Sequence, residues 1–285
     1  MDPHAPDENH KSAATTVLTR RGNEDYKLSL DVEDFSDRLG WSDLHQAAAM
    51  TREGRRITVE LLRAGFDDLN SRDALGRTPL HWLAENGEAG AIQLLTQDPW
   101  KANVHIRDNA GFTALHCACW ADDLESAVVL LNAGSDPNAR DKHKRTPMMH
   151  FDDYRLLELM IKHGADVHIS DDEGCNILHH VCVSDQATLA RVLLELYSDQ
   201  LCVANHNGDT PLLEAIRNNS VSVLAAWLPF LSTFPVSCNI NHRLLRAPTL
   251  IPHVYRLQRS KSKTIRSAMR STLWHYMQAL KRWIF

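Results

Sequence analysis

One nine-residue pattern recurs six times along the chain, at intervals of 36, 35, 33, 30 and 34 residues. The copies read "DRLGWSDLH" from Asp37, "DALGRTPLH" from Asp73, "DNAGFTALH" from Asp108, "DKHKRTPMM" from Asp141, "DDEGCNILH" from Asp171 and "NHNGDTPLL" from Asn205. The intervals are counted between Ser42, Thr78, Thr113, Thr146, Asn176 and Thr210. A unit of this length cannot bury its apolar face alone, so neighbouring units must stack and share one elongated core.

Each residue type in the pattern has a local task. The leading Asp can bond its own backbone two residues on and start a turn. Gly76, Gly111, Gly174 and Gly208 stand where the turn needs a positive φ. Thr78, Thr113, Thr146 and Thr210 are placed to cap a helix start, and Pro79, Pro147 and Pro211 fit the first helical position. Leu80, Leu115 and Leu212 open the buried face. A second helix follows in each copy, from "ITVELLRAG" through "AGAIQLLTQ" and "ESAVVLLNAG" to "TLARVLLEL" and "VSVLAAWLPFL". Their apolar residues recur at three and four, giving one stripe each.

The pattern resembles the ankyrin repeat, whose period is about 33 residues around a T-P-L-H core. The resemblance covers about residues 37–240. It implies an all-α solenoid of helix-turn-helix repeats with β-turn fingers. It also implies that His45, His81, His116 and His179 hydrogen-bond to backbone and tie neighbouring repeats together. We expect residues 1–25 to be a disordered polar N-terminus, 26–242 to be the repeat domain and 243–285 to be a basic amphipathic segment.

Two copies depart from the rest. The first carries extra residues near "AMTREGRR", so its inter-helix turn should bulge. The fourth is short, with Lys144 at the turn glycine and Met149 at the motif histidine. A side chain at positive φ costs about 1 kcal/mol, which makes the fourth copy the expected weak joint of the stack.

Charge divides the chain. Residues 1–214 hold 20 basic and 36 acidic residues, a balance of −16, whereas 215–285 carry +11 with no acidic residue. The tail is an amphipathic pattern: Ile265, Met269, Leu273, Met277 and Leu280 share one helical face. The basic set is Arg259, Lys261, Lys263, Arg266, Arg270, Lys281 and Arg282. Such a segment can cap the repeats, lie on a partner helix or touch an anionic membrane, and the sequence does not separate these. Nucleic acid is disfavoured as its target. The uncharged run from Asn218 to His242 reads as the last repeat rather than a membrane span, because prolines interrupt it and it keeps the repeat register.

The side chains carry little sign of catalysis. No phosphate loop, zinc-protease or nucleophile-elbow motif occurs, so no enzyme activity and no cofactor is expected. His116, Cys117 and Cys119 recur in register as His179, His180 and Cys182, but two repeats separate the sets by about 20 Å. Within one set, residues two apart diverge on a helix, and no metal site is expected. The six cysteines have no C-x-x-C pair, so free, mostly buried thiols in a reducing compartment are expected, in cytoplasm or nucleus.

What the resemblance implies is protein–protein binding by an adaptor, scaffold or inhibitor. Tethering of the repeat domain through the tail to an anionic membrane, as a peripheral association, or to nucleic acid, and a substrate-targeting role inside a larger enzyme complex remain alternatives. The partner surface of ankyrin proteins is built from the finger bases and the exposed sides of the first helices. Those positions here are Trp41, Arg77, Glu85, Asn86, Phe112, Trp120 and Arg145, rich in the types that anchor interfaces. Trp82 follows a motif histidine and belongs in the core. On this reading, truncating Trp41 and Arg77 together leaves thermal stability nearly intact.

Overall fold

The computed structural model describes residues 38–49 and 68–227. The N-terminal segment, the first inter-helix turn, and the basic tail with its arginines and lysines lie outside the described residues. The chain divides into two compact units, Met1–Lys142 and His143–Phe285. The first contains α1 (Asp43–Ala49), α2 (Pro79–Glu85), α3 (Ala89–Thr96), α4 (Ala114–Trp120) and α5 (Leu124–Asn132). The second contains a 3-10 turn (Pro147–Met149), α6 (Tyr154–Lys162), α7 (Ile177–Val183) and α8 (Ala187–Leu196). A second 3-10 turn (Ser198–Cys202), α9 (Pro211–Arg217) and α10 (Val221–Trp227) complete it. There is no strand among the described residues, and none of their helices is long and apolar enough to cross a membrane.

Helices pair with their counterparts one repeat on. In the first unit α1 packs on α2, α2 on α4 and α3 on α5; in the second α7 packs on α9 and α8 on α10. Leu80, Leu83, Ile92, Leu95, Leu115 and Leu130 fill the first core, and Leu156, Leu157, Met160 and Ile177 the second. Each such side chain contributes about 2 kcal/mol by leaving water.

The fingers are built as the sequence predicts. In the second copy Asp73 Oδ1 accepts from the amides of Leu75 at 2.9 Å and Arg77 at 2.8 Å, and the Asp73 amide donates to Arg77 O at 2.9 Å. Asp108, Asp171 and Asn205 repeat the arrangement. One backbone bond then joins each finger to the one before: Ala74 N to Leu39 O, Asn109 N to Leu75 O, Lys142 N to Ala110 O, Asp172 N to His143 O, His206 N to Glu173 O. At Gly111, with φ +87°, the approach is so close that a Cβ would stand 2.7 Å from Lys142 N. Lys144 takes the same left-handed conformation with φ 60°, despite its side chain.

The motif histidine is the joint. His81 Nδ1 accepts from the Thr78 amide at 3.1 Å, so it carries no proton, and Nε2 donates to Phe112 O of the next repeat at 3.0 Å. His45 reaches Arg77 O and His179 reaches Asp209 O, each at 3.0 Å. Each of these carbonyls also accepts from its own finger Asp or Asn amide, so both oxygen lone pairs are filled. Burial holds all three imidazoles below the ordinary histidine range, outweighing the backbone bonds that favour the cation.

The fourth copy keeps the backbone and loses the joint. Its first helix is only the 3-10 turn, yet Thr146 has φ −91° and ψ 162°, and the Met149 amide donates to Thr146 O at 3.0 Å. These match Thr78 and His81. The Thr78 hydroxyl lies 2.9 Å from His81 Nδ1, whereas the buried Thr146 hydroxyl, facing Met149 instead, has no hydrogen-bond partner. Four cysteines, Cys117, Cys119, Cys175 and Cys182, are free and buried as expected. Cys202 departs from that expectation: it is exposed at the end of a 3-10 turn and is disulfide-bonded.

Two outcomes follow from the joint. The lowered histidine pKa values mean that the unfolded chain binds protons first on acidification. The stability they confer is fully present above about pH 6.5, and is lost as the pH falls toward the folded-state values. Thermal melts of the full chain should therefore give a flat Tm above neutrality and a falling one below it. Second, Met149→His supplies the missing partner of Thr146 and a donor toward Cys175 O. It should stabilise the chain by about 1 kcal/mol, a rise of a few degrees in Tm.

Candidate protein-binding surface

Two positions flank the first helix of every repeat: the residue before the motif Thr or Asn, and the one eight residues later. In the second repeat Arg77 Nη1 meets Glu85 Oε2 at 2.5 Å. In the third, Phe112 and Trp120 lie with ring centroids 6.5 Å apart and planes at 52°. In the sixth, Arg217 binds both oxygens of Asp209. The fifth repeat has Cys175 and Val183 there, and the first Trp41 and Ala49. One geometric slot thus holds an ion pair, an aromatic pair or its inverted ion pair, according to the repeat.

In three of the slots the first member also meets the finger of the next repeat. Trp41 Nε1 donates to Asp73 Oδ2 at 3.2 Å, Arg77 Nε lies 3.5 Å from Asp108 Oδ2, and Asn205 Nδ2 lies 3.5 Å from Cys175 Sγ. Trp82, buried as expected, donates to the same Asp73 oxygen at 3.0 Å. Its ring meets Trp41 edge-on at 5.0 Å, with the Arg77 guanidinium 4.9 Å over it. His180 serves Asp171 in the same way at 2.9 Å. Burial alone would raise the Asp171 carboxyl, but His180 and the finger amides outweigh it and hold the group below the usual carboxylate range.

The sequence-predicted surface residues therefore occupy distinct settings. In the first unit Trp41, Arg77, Glu85, Asn86 and Phe112 are half-buried, whereas Trp120 is 40% exposed. Asn86 Nδ2 donates to Ala48 O of the preceding repeat at 2.9 Å. Phe112 stacks on His116 at 5.2 Å and 20°. Arg145 belongs to the second unit, where it is half-buried.

Nucleophilic chemistry has no foothold among these thiols. Burial pushes Cys117 up to about 12 and Cys175 up to about 11, and raises Cys119 and Cys182 further from the thiolate range. Among the described residues no three His, Cys, Asp or Glu side chains form a group that could hold a metal ion.

A family model described as "Ankyrin repeats (3 copies)" matches residues 44–141 and 148–228. The chain belongs to the ankyrin repeat family. Its all-α repeat fold and its histidine joints are those the T-P-L-H motif implies, and ankyrin repeats are in general protein-interaction modules. The B-cell lymphoma 3 protein homolog of Mus musculus is 28% identical over 205 residues, covering 70% of this chain and 45% of that protein. Ankyrin repeat protein nuc-2 of Neurospora crassa is 31% identical over 204 residues, covering 70% of this chain and 19% of that protein. The tyrosine-protein kinase HTK16 of Hydra vulgaris is 30% identical over 166 residues, 56% of this chain and 21% of that kinase. The chain thus spans less than half the length of the curated relatives it matches.

One signal passes unread in the sequence. A second left-handed position follows the first helix in four repeats, nine residues after the motif Thr or Asn: Gly87, Asp122, Asp185 and Asn219, with φ between 54° and 73°. Gly, Asp and Asn are the types that tolerate it. The repeat alignment puts these residues in one column, but their chemical variety hides the column from a motif search.

The bonds made by Trp41 and Arg77 lead to a different expectation from the sequence. Trp41→Ala with Arg77→Ala strips donors from two buried finger carboxylates and should cost about 2 kcal/mol or more. Trp120→Ala should stay within about 1 kcal/mol, because much of that ring already meets water. Thermal unfolding followed by circular dichroism separates the two.

Proposed function

We propose that this ankyrin chain acts as a non-catalytic adaptor, scaffold or inhibitor. A protein partner docks on the inner face of the first unit, over Trp41, Arg77, Glu85, Asn86, Phe112 and Trp120. The observation that carries the reading is Trp120. Its slot holds Glu85 one repeat earlier and Arg217 in the last repeat, each neutralised by its own ion pair. In the third repeat the slot holds a large ring kept 40% exposed beside Phe112. A fixed, half-wet indole loses little rotamer freedom on binding, and such rings dominate interface energetics. The partner on this reading presents an apolar or aromatic side chain to the Phe112–Trp120 pair. The four free, buried cysteines support a cytoplasmic or nuclear compartment, whereas the disulfide at Cys202 speaks against it.

A second reading rests on charge. The +11 balance after Glu214, against −16 before it, suits a tail that anchors acidic repeats to an anionic surface. Retention of the full chain on anionic vesicles, lost with rising salt, would favour tethering.

The test of the first reading is affinity capture with the full chain and its Trp120→Ala variant, read by mass spectrometry. Truncating an interface anchor should weaken capture by about 2 kcal/mol, roughly thirtyfold, with the Tm shifted by no more than a few degrees. Equal recovery of the same partners by the variant removes this site.

A further inference from the structure

The finger aspartates of the first unit hide their charge. Asp73 and Asp108 are buried, and their carboxylates face backbone amides, indoles and Arg77. The residue before each is an arginine that does the opposite. Arg72, Arg107 and Arg140 stand at the same position of three successive repeats, and all three are exposed. Arg72 Nε donates to Gly76 O at 3.1 Å, and its Nη2 donates to Arg107 O on the next finger at 2.8 Å. Arg107 Nη1 donates in turn to Arg140 O. The carbonyls thus fix the guanidinium planes one repeat apart along a single edge. Lys142 continues the edge, exposed.

A guanidinium has five N–H donors. Arg72 uses two of them and Arg107 one, so three and four remain for a ligand. Among the described residues neither forms an ion pair. The nearest preceding carboxylate in sequence, Asp68, lies four residues before Arg72 and is exposed. The forks of Arg72 and Arg107, held by carbonyls and without an ion pair among the described residues, are matched to carboxylate or phosphate recognition.

We propose that this arginine edge binds an acidic, extended peptide segment of a partner protein, independently of the Trp120 surface. Spacing and field choose the ligand class. Helices of neighbouring repeats pack about 8–10 Å apart, and an extended chain in the polyproline II conformation, with three residues per turn on one face, rises about 3.1 Å per residue. A carboxylate at every third residue therefore meets one guanidinium per repeat. Nucleic acid carries a charge about every 1.7 Å of duplex and would face the −16 balance of residues 1–214 as well. A short peptide meets only the local field, since charges beyond about 8 Å are screened at physiological salt.

The experiment uses the full chain and a labelled synthetic peptide with Glu at every third position, read by fluorescence anisotropy. Binding should weaken as salt rises, and the same peptide with Gln in place of Glu should not bind. Arg72→Gln with Arg107→Gln should weaken binding about tenfold or more, and Arg72→Lys with Arg107→Lys should lose part of the affinity, keeping charge without the fork. Trp120→Ala should leave it unchanged, which separates this edge from the inner face. Failure of the Glu peptide to bind overturns the proposal, as does equal binding by a folded Gln variant or tighter binding of a single-stranded oligonucleotide. Should the Gln variant not fold, the Lys variant and the Gln peptide decide the matter.

Discussion

A single imidazole-to-carbonyl bond sets the spacing of this molecule. The motif histidine accepts an amide at its own helix start and donates to a carbonyl at the base of the next finger. That carbonyl already closes its own finger, so the bond couples two turns rather than two loose loops. Helix stacking supplies most of the free energy, but apolar faces slide easily. The histidine bonds fix where they stop, because a buried imidazole missing either partner leaves an unsatisfied polar atom. The finger ladder and the slots beside each first helix inherit that register.

Next to this joint lies a division of labour within one side-chain position. The backbone carbonyl of the residue before the motif Thr belongs to the scaffold. Its side chain belongs partly to the neighbouring finger and partly to the surface. Arg77 shows both: its guanidinium reaches Glu85, Asp108 and the Trp82 ring. Phe112 leans instead on His116 and Trp120. The same slot therefore reads as structure in one repeat and as surface in the next, which is why residue type alone could not sort the candidates.

Much of the fold was legible because its rules are local. The Asp turn, the positive φ at the fourth finger residue and the histidine joint each depend on a few consecutive residues. The fourth copy was recognisable as defective from Lys144 and Met149 for the same reason. What escaped was relational. No pattern within one repeat announces that Trp41 bonds Asp73, that Phe112 pairs with Trp120, or that Asn205 reaches Cys175. The arginine row was in plain view as "SRD", "IRD" and "ARD", yet it carries meaning only once the guanidinium groups are seen to climb from finger to finger. Cys202 was missed because a count of cysteines says nothing of which one stands at the surface.

Since main-chain atoms and buried histidines hold the register, the second member of each slot can vary without disturbing it, whereas the first also serves a neighbouring finger in three repeats. Charge pair, ring pair and small apolar pair all occupy the same geometry in this one chain. Recognition can then drift, one repeat at a time, while the scaffold beneath stays under separate selection.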